Sequence, residues 1–150
     1  MRKFSVLLMA VVLIFSCAAM VQGAEDDLTF KLNDDGVSYC VSDCKTSATG
    51  KITVPATHND LPVTAIGPSA FYGCELLTGI VLPDSITTVG TNAFYNCTSL
   101  TYSVSNGVKY LGSETNPYMV AVGYANSGIS HLQLHNDTKI IYDYASNSAI

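Results

Sequence analysis

Residues 65–81, AIGPSAFYGCELLTGIV, return 23 positions later as TVGTNAFYNCTSLTYSV over residues 88–104. Gly67 aligns with Gly90, Ala70 with Ala93, Phe71 with Phe94 and Tyr72 with Tyr95, with no gap. Cys74 then falls on Cys97, Leu77 on Leu100, Thr78 on Thr101 and Val81 on Val104. A period in the twenties marks a solenoid, because one unit cannot cover its own apolar residues and neighbours must bury them jointly. The expected core is therefore Ile66, Ala70, Phe71, Cys74 and Leu77 in one copy and Val89, Ala93, Phe94, Cys97 and Leu100 in the next. Stacked units present an extended surface, which points to binding before chemistry.

The first residues read as an export signal. Arg2 and Lys3 precede an uncharged apolar run from Phe4 to Ala19, and small residues near Gly23 suit a peptidase before the acidic Glu25-Asp26-Asp27. That layout describes a signal peptide over residues 1–23, the run being borderline for the roughly 20 apolar residues of a membrane span. Ile14-Phe15-Ser16-Cys17 is similar to a lipoprotein box, so lipid anchoring at Cys17 is the second processing route. The 127 residues left suffice for one domain. They carry five basic and twelve acidic residues, and no basic stripe, which argues against nucleic acid or an anionic membrane as partner.

Along the mature chain, residues 24–60 look like an N-terminal β cap. Leu28 to Leu32 and Val37 to Val41 alternate apolar and polar around Asn33-Asp34-Asp35-Gly36, a hairpin signal. Lys51 to Val54 makes a short strand stopped by Pro55, and Leu82-Pro83 repeats that corner. Residues 61–105 hold the two repeats, with strands expected at Ile80 to Leu82 and Tyr102 to Val104. Each Ala-Phe-Tyr-x-Cys segment is expected to form one helical turn with its Phe inward, entered through Gly67 or Gly90 at positive φ. The period breaks over residues 106–130, a hairpin insertion around Asn106-Gly107. Residues 131–150 resume as a degenerate, incomplete repeat, with a strand at His131 to His135 and with Tyr142 and Ser146 standing where Gly and Phe belong.

Chemistry-bearing residues are few. Cys40 and Cys44 lie four apart, a candidate local disulfide in an exported chain. Cys74 and Cys97 occupy equivalent positions, where two readings are open: a disulfide across one rung, or small buried hydrophobes, the reading we prefer. His131 and His135 have the spacing of a metal pair only on a helix; on a strand they share an exposed face with Gln133. No metal, cofactor or catalytic set is expected, and a secreted hydrolase has only the three histidines in its favour. Asn96-Cys97-Thr98 and Asn136-Asp137-Thr138 fit the N-glycosylation pattern, which matters only in a eukaryotic source. Tyr72 and Tyr95 should form a ladder, either packed on each other as a cover or serving as a contact surface, since Tyr is enriched where proteins meet.

The unit "IG-x-x-AF-x-x-C-x-x-L-x-x-I-x-(I/L)-P-x-x-(V/I)-x-x-(I/V)-G" resembles the BspA-type leucine-rich repeats of bacterial surface proteins, also expanded in some parasitic protists. Ile66 to Gly90 and Val89 to Val104 carry the resemblance, which extends over about residues 30–145. It implies a mainly β fold with short helical turns: a right-handed leucine-rich-repeat solenoid of about 23-residue units, with parallel strands, an N-terminal β cap and a β-hairpin insertion. It also implies a secreted or cell-surface protein that adheres to a protein ligand such as a host-cell or matrix protein, with no catalytic residues to carry over. The few units and the unfinished last one add a competing expectation, self-association or docking through the C-terminal repeat.

Overall fold

The computed structural model describes residues 26–126 and 131–142. Among them the chain forms eleven strands and no helix. The strands are β1 Leu28–Leu32, β2 Tyr39–Cys44, β3 Gly50–Thr53, β4 Thr57–His58, β5 Leu61–Ile66, β6 Leu77–Val81, β7 Thr88–Val89, β8 Ser103–Ser105, β9 Val108–Leu111, β10 Val120–Tyr124 and β11 Ile140–Ile141. The expected signal peptide and Cys17 lie outside the described residues, as do residues 143–150 with Ser146. No helix of the described residues is long and apolar enough to cross a membrane.

The cap is a hairpin. β1 and β2 pair antiparallel, with a register shift between Thr29 and Phe30. Asp35 shapes the loop: its carboxylate accepts the Ser38 hydroxyl at 2.6 Å and the Val37 and Ser38 amides, all of which hold its pKa below the usual value. Beyond the cap the pairing turns parallel. β2 lies beside β5, β5 beside β7, and β3 beside β6. A second hairpin, β4 to β5, turns on Asn59 and Asp60 at φ of 48° and 63°, the left-handed pair that a two-residue β-turn needs.

Between the strands the repeats make no helical turn, contrary to expectation. In the first copy Ala70, Tyr72, Cys74 and Leu77 donate their amides to the carbonyls three residues earlier, and Ala93, Tyr95, Cys97 and Leu100 do the same in the second. The amides in between leave the coil: Ser69, Phe71 and Gly73 donate to Thr91, Ala93 and Tyr95 of the next one at 2.8–2.9 Å. Left-handed residues interrupt any helix, Ser69 and Gly73 in one copy and Asn92 and Asn96 in the other. Gly67 and Gly90, expected at positive φ, are not among the left-handed glycines. They are small because the coils touch there: a Cβ on Gly90 would sit 2.4 Å from the Pro68 nitrogen, and one on Gly67 would sit 3.0 Å from the Val41 oxygen.

One apolar core runs through the stack. Ile66, Ala70, Phe71, Cys74, Leu77, Ala93, Phe94, Cys97 and Leu100 are buried, and Val89 packs against them half-buried. Phe71 and Phe94 lie ring on ring, centroids 5.7 Å apart and inclined by 24°. Tyr142 closes the far side edge-on to Phe94 at 5.7 Å, so a ring stands where the earlier copies have glycine.

The second copy's strand is diverted. Thr101 still donates its amide to the Thr78 carbonyl, but Ser103–Ser105 turns into an antiparallel hairpin with β9 around Asn106-Gly107. The chain returns to β6 only at Gly112, whose carbonyl accepts the Leu82 amide. β10 pairs with β9, and β11 joins β10 in parallel. The strand expected at His131 to His135 does not form. Its place is taken by an irregular segment that docks through His135, whose amide donates to the Tyr110 hydroxyl and whose ring stacks on Tyr118 at 4.0 Å.

Candidate binding surface

The turns that bury Phe71 and Phe94 turn the following residues outward. Alternate residues of this ladder-like backbone face opposite ways, so Tyr72 and Tyr95 emerge one above the other, 51% and 48% exposed. Their rings stack with centroids 5.4 Å apart and planes 17° from parallel. Leu76 stands exposed four residues after Tyr72, and below the rings the Asn96 amide donates to the Glu75 carboxylate at 2.6 Å. The result is an aromatic pair whose spacing is set by backbone hydrogen bonds rather than by flexible side chains.

A second feature was not legible in the sequence. Because β8 and β9 leave the stack, a groove of about 440 Å³ opens beside β6. Thr78, Gly79, Thr101 and Ser103 form its floor and wall, with Lys51 and Glu114 at the rim 3.9 Å apart. The Thr101 hydroxyl donates to the Thr78 carbonyl at 2.8 Å, and Thr87 does the same to Thr64, so part of this polar surface already serves the stack. Gly112 is the residue that could have signalled the return of the chain, since a Cβ there would lie 2.0 Å from the Asn116 oxygen.

The other singled-out residues take structural positions. Cys40, Cys44, Cys74 and Cys97 are all free thiols, so the Cys40–Cys44 disulfide is not formed. Both residues lie on the extended β2, where four residues span about 13 Å, well beyond the Cα separation a disulfide bridges. Burial is the main cause that pushes the Cys44 and Cys74 thiols up and raises Cys97 to about 11, so these sulfurs are protonated at neutral pH and poor nucleophiles. His58 is packed flat on Phe30 at 4.1 Å and edge-on to Tyr39, away from the other two histidines' segment. His135 sits against Tyr118 and 3.5 Å from Asp137, while His131 is exposed. Among the described residues no group of three or more His, Cys, Asp or Glu is placed to hold a metal ion.

Comparison with known proteins gives the same architecture. The chain resembles the solved leucine-rich repeat protein TpLRR of T. pallidum, with 22% identity and a TM-score of 0.52, over 78% of this chain and 62% of that one. A leucine-rich repeat protein from Bacteroides capillosus ATCC 29799 aligns with 22% identity and a TM-score of 0.46, over 77% of this chain and 93% of that one. The chain thus spans somewhat under two thirds of the length of the T. pallidum protein. No curated protein matches it. A family model described as a BspA type leucine rich repeat region (6 copies) matches residues 43–145. This chain belongs to the BspA-type leucine-rich repeat family.

Proposed function

We propose that this protein is an exported, non-enzymatic leucine-rich-repeat module that binds a protein ligand at the cell surface, a host-cell or matrix protein being the expected class. Its scaffold is read as a right-handed coil of about 23-residue units. The observation that carries the reading is the Tyr72–Tyr95 stack: two large rings, half-exposed, held at fixed spacing on the ladder between coils. Rigid aromatic side chains lose little entropy on contact and dominate protein-protein hot spots. Leu76 extends the apolar area, and the Glu75–Asn96 pair supplies a polar border.

The test is binding of the full chain to a panel of purified extracellular-matrix proteins, compared with the Tyr72→Ser/Tyr95→Ser double variant. A contact role predicts at least about tenfold weaker binding, the loss of one or more hot-spot side chains, with an unchanged circular dichroism spectrum. Unchanged affinity, or collapse of the fold, would assign the rings to covering the turns instead. A second reading, docking on another copy through the C-terminal repeat, is favoured by Ile141, which stands 58% exposed on the two-residue edge strand β11.

A further inference from the structure

Three of the buried cysteines, Cys44, Cys74 and Cys97, descend the stack one per coil, and they are not equivalent. The sulfurs of Cys44 and Cys74 each lie 3.7 Å from the same oxygen, the Lys45 carbonyl. Cys74 Sγ also lies 3.8 Å from the Cys44 carbonyl. Cys97 differs: its thiol is turned onto the Phe71 carbonyl at 2.9 Å. Cys40 sits half-exposed on β2, four residues before Cys44.

We propose that Cys44 and Cys74 are joined by a disulfide when the chain folds under oxidising conditions, clamping the cap to the first repeat. β2 and β5 are parallel neighbours, and Cys44 ends the one while Cys74 lies in the turn that follows the other. Both sulfurs converge on the Lys45 carbonyl oxygen, which places the two side chains side by side in the interior between the cap and the first repeat. In the reaction one cysteine's thiolate attacks the oxidant, a small disulfide such as oxidised glutathione or the disulfide of an exported thiol oxidase. The second cysteine's thiolate then attacks the protein sulfur of that mixed disulfide, forming the Cys44–Cys74 S–S bond as the bond to the oxidant breaks and its remaining half leaves as a thiolate. The two cysteines lose two protons and two electrons in all, and the oxidant leaves as two thiols. The exchange belongs to the collapsing chain, because the folded protein leaves Cys74 0% and Cys44 3% exposed. The bond would enclose β3, β4 and β5, removing loop freedom from the unfolded chain.

The full chain, reduced and unfolded, is refolded in mixed reduced and oxidised glutathione, alkylated in denaturant and mapped by mass spectrometry. The expected product has Cys44 linked to Cys74 with Cys40 and Cys97 alkylated, and a melting temperature that drops by on the order of 10 °C when reductant is added. Cys40→Ala should leave the link in place. Alkylation of every cysteine in the refolded wild-type chain would overturn the proposal, as would a link from Cys74 to Cys97 or from Cys40 to any partner.

Discussion

At the scale of single residues, the repeats are governed by which backbone groups bond locally and which bond to the next coil. Ser69 and Gly73, and Asn92 and Asn96 after them, take left-handed φ between 57° and 71°. Gly and Asn are the residues that tolerate this region best, and they hold three of these four positions, Ser69 being the fourth. These residues stop the Ala-Phe-Tyr segment from closing into a helix and free every second amide for the neighbouring coil. Burial of weak acids along the same interior has a consequence in alkaline solution. Burial raises Cys97 from 9.0 to about 11 and Tyr102 from 10.0 to about 12. A group whose acid form is favoured by the fold contributes fully below its unfolded pKa and loses that contribution as pH climbs toward the folded value. The melting temperature should therefore be flat up to pH 9 and fall between pH 9 and about 12, with Tyr102→Phe flattening the upper part of the decline; an unaltered melting temperature at pH 11 would contradict the burial of Cys97 and the partial burial of Tyr102.

At the scale of elements, the glycines separate into two physical roles that the sequence shows as one letter. Gly73 holds a left-handed φ of 71°, and a Cβ there would meet nothing within 4 Å. Gly73→Ala should cost only the backbone strain, about 1–2 kcal/mol. Gly90 has an ordinary backbone, but its Cβ would lie 2.4–2.8 Å from backbone atoms of Gly67 and Pro68, which no rotamer change relieves. Gly90→Ala should therefore cost more, about 3 kcal/mol or beyond, by forcing the coils apart. Denaturant titration of both variants checks the order, and a reversed order would mean that the close approach is not what fixes this glycine. The strands divide between local and long-range causes in the same way. β1, β3, β6 and β9 follow local alternation or a β-branched run ended by proline. The diverted Ser103–Ser105 keeps only Val104 of the repeat, with Ser103 and Ser105 standing where the first copy buries Ile80 and Leu82, and it pairs instead with β9 around Asn106-Gly107.

At the scale of the whole molecule, the described stack is covered at the cap, while at the other end β11 is the last strand among the described residues. β1 covers β2 antiparallel and ends the parallel ladder at the cap, which is how a short solenoid limits exposed edges. At the far end β11 contributes two residues, with Ile140 packed on the core and Ile141 outside. If this edge docks on another copy, sedimentation should show an apparent mass that rises with concentration, and Ile141→Lys should suppress the rise by placing a charge on the edge. A constant monomer mass across that range would count against docking and leave the Tyr72–Tyr95 face as the contact surface.

The spacing of identical residues by itself determined the architecture: Phe71 over Phe94, Tyr72 over Tyr95 and Cys74 near Cys97 follow from a repeat that must bury the same positions in every coil. It also placed the family resemblance and the residues of the candidate surface. Only the tertiary structure decided what contacts between coils control. It chose turns over helix, because alternate amides bond across the stack. It turned the Cys74 sulfur toward the Lys45 carbonyl beside Cys44 and the Cys97 sulfur onto the Phe71 carbonyl, because the cap's strand ends beside the first repeat. It opened the groove beside β6, because the insertion leaves and rejoins the ladder. Residues 30 positions apart become neighbours through the path of the chain, which no local pattern of residue types records.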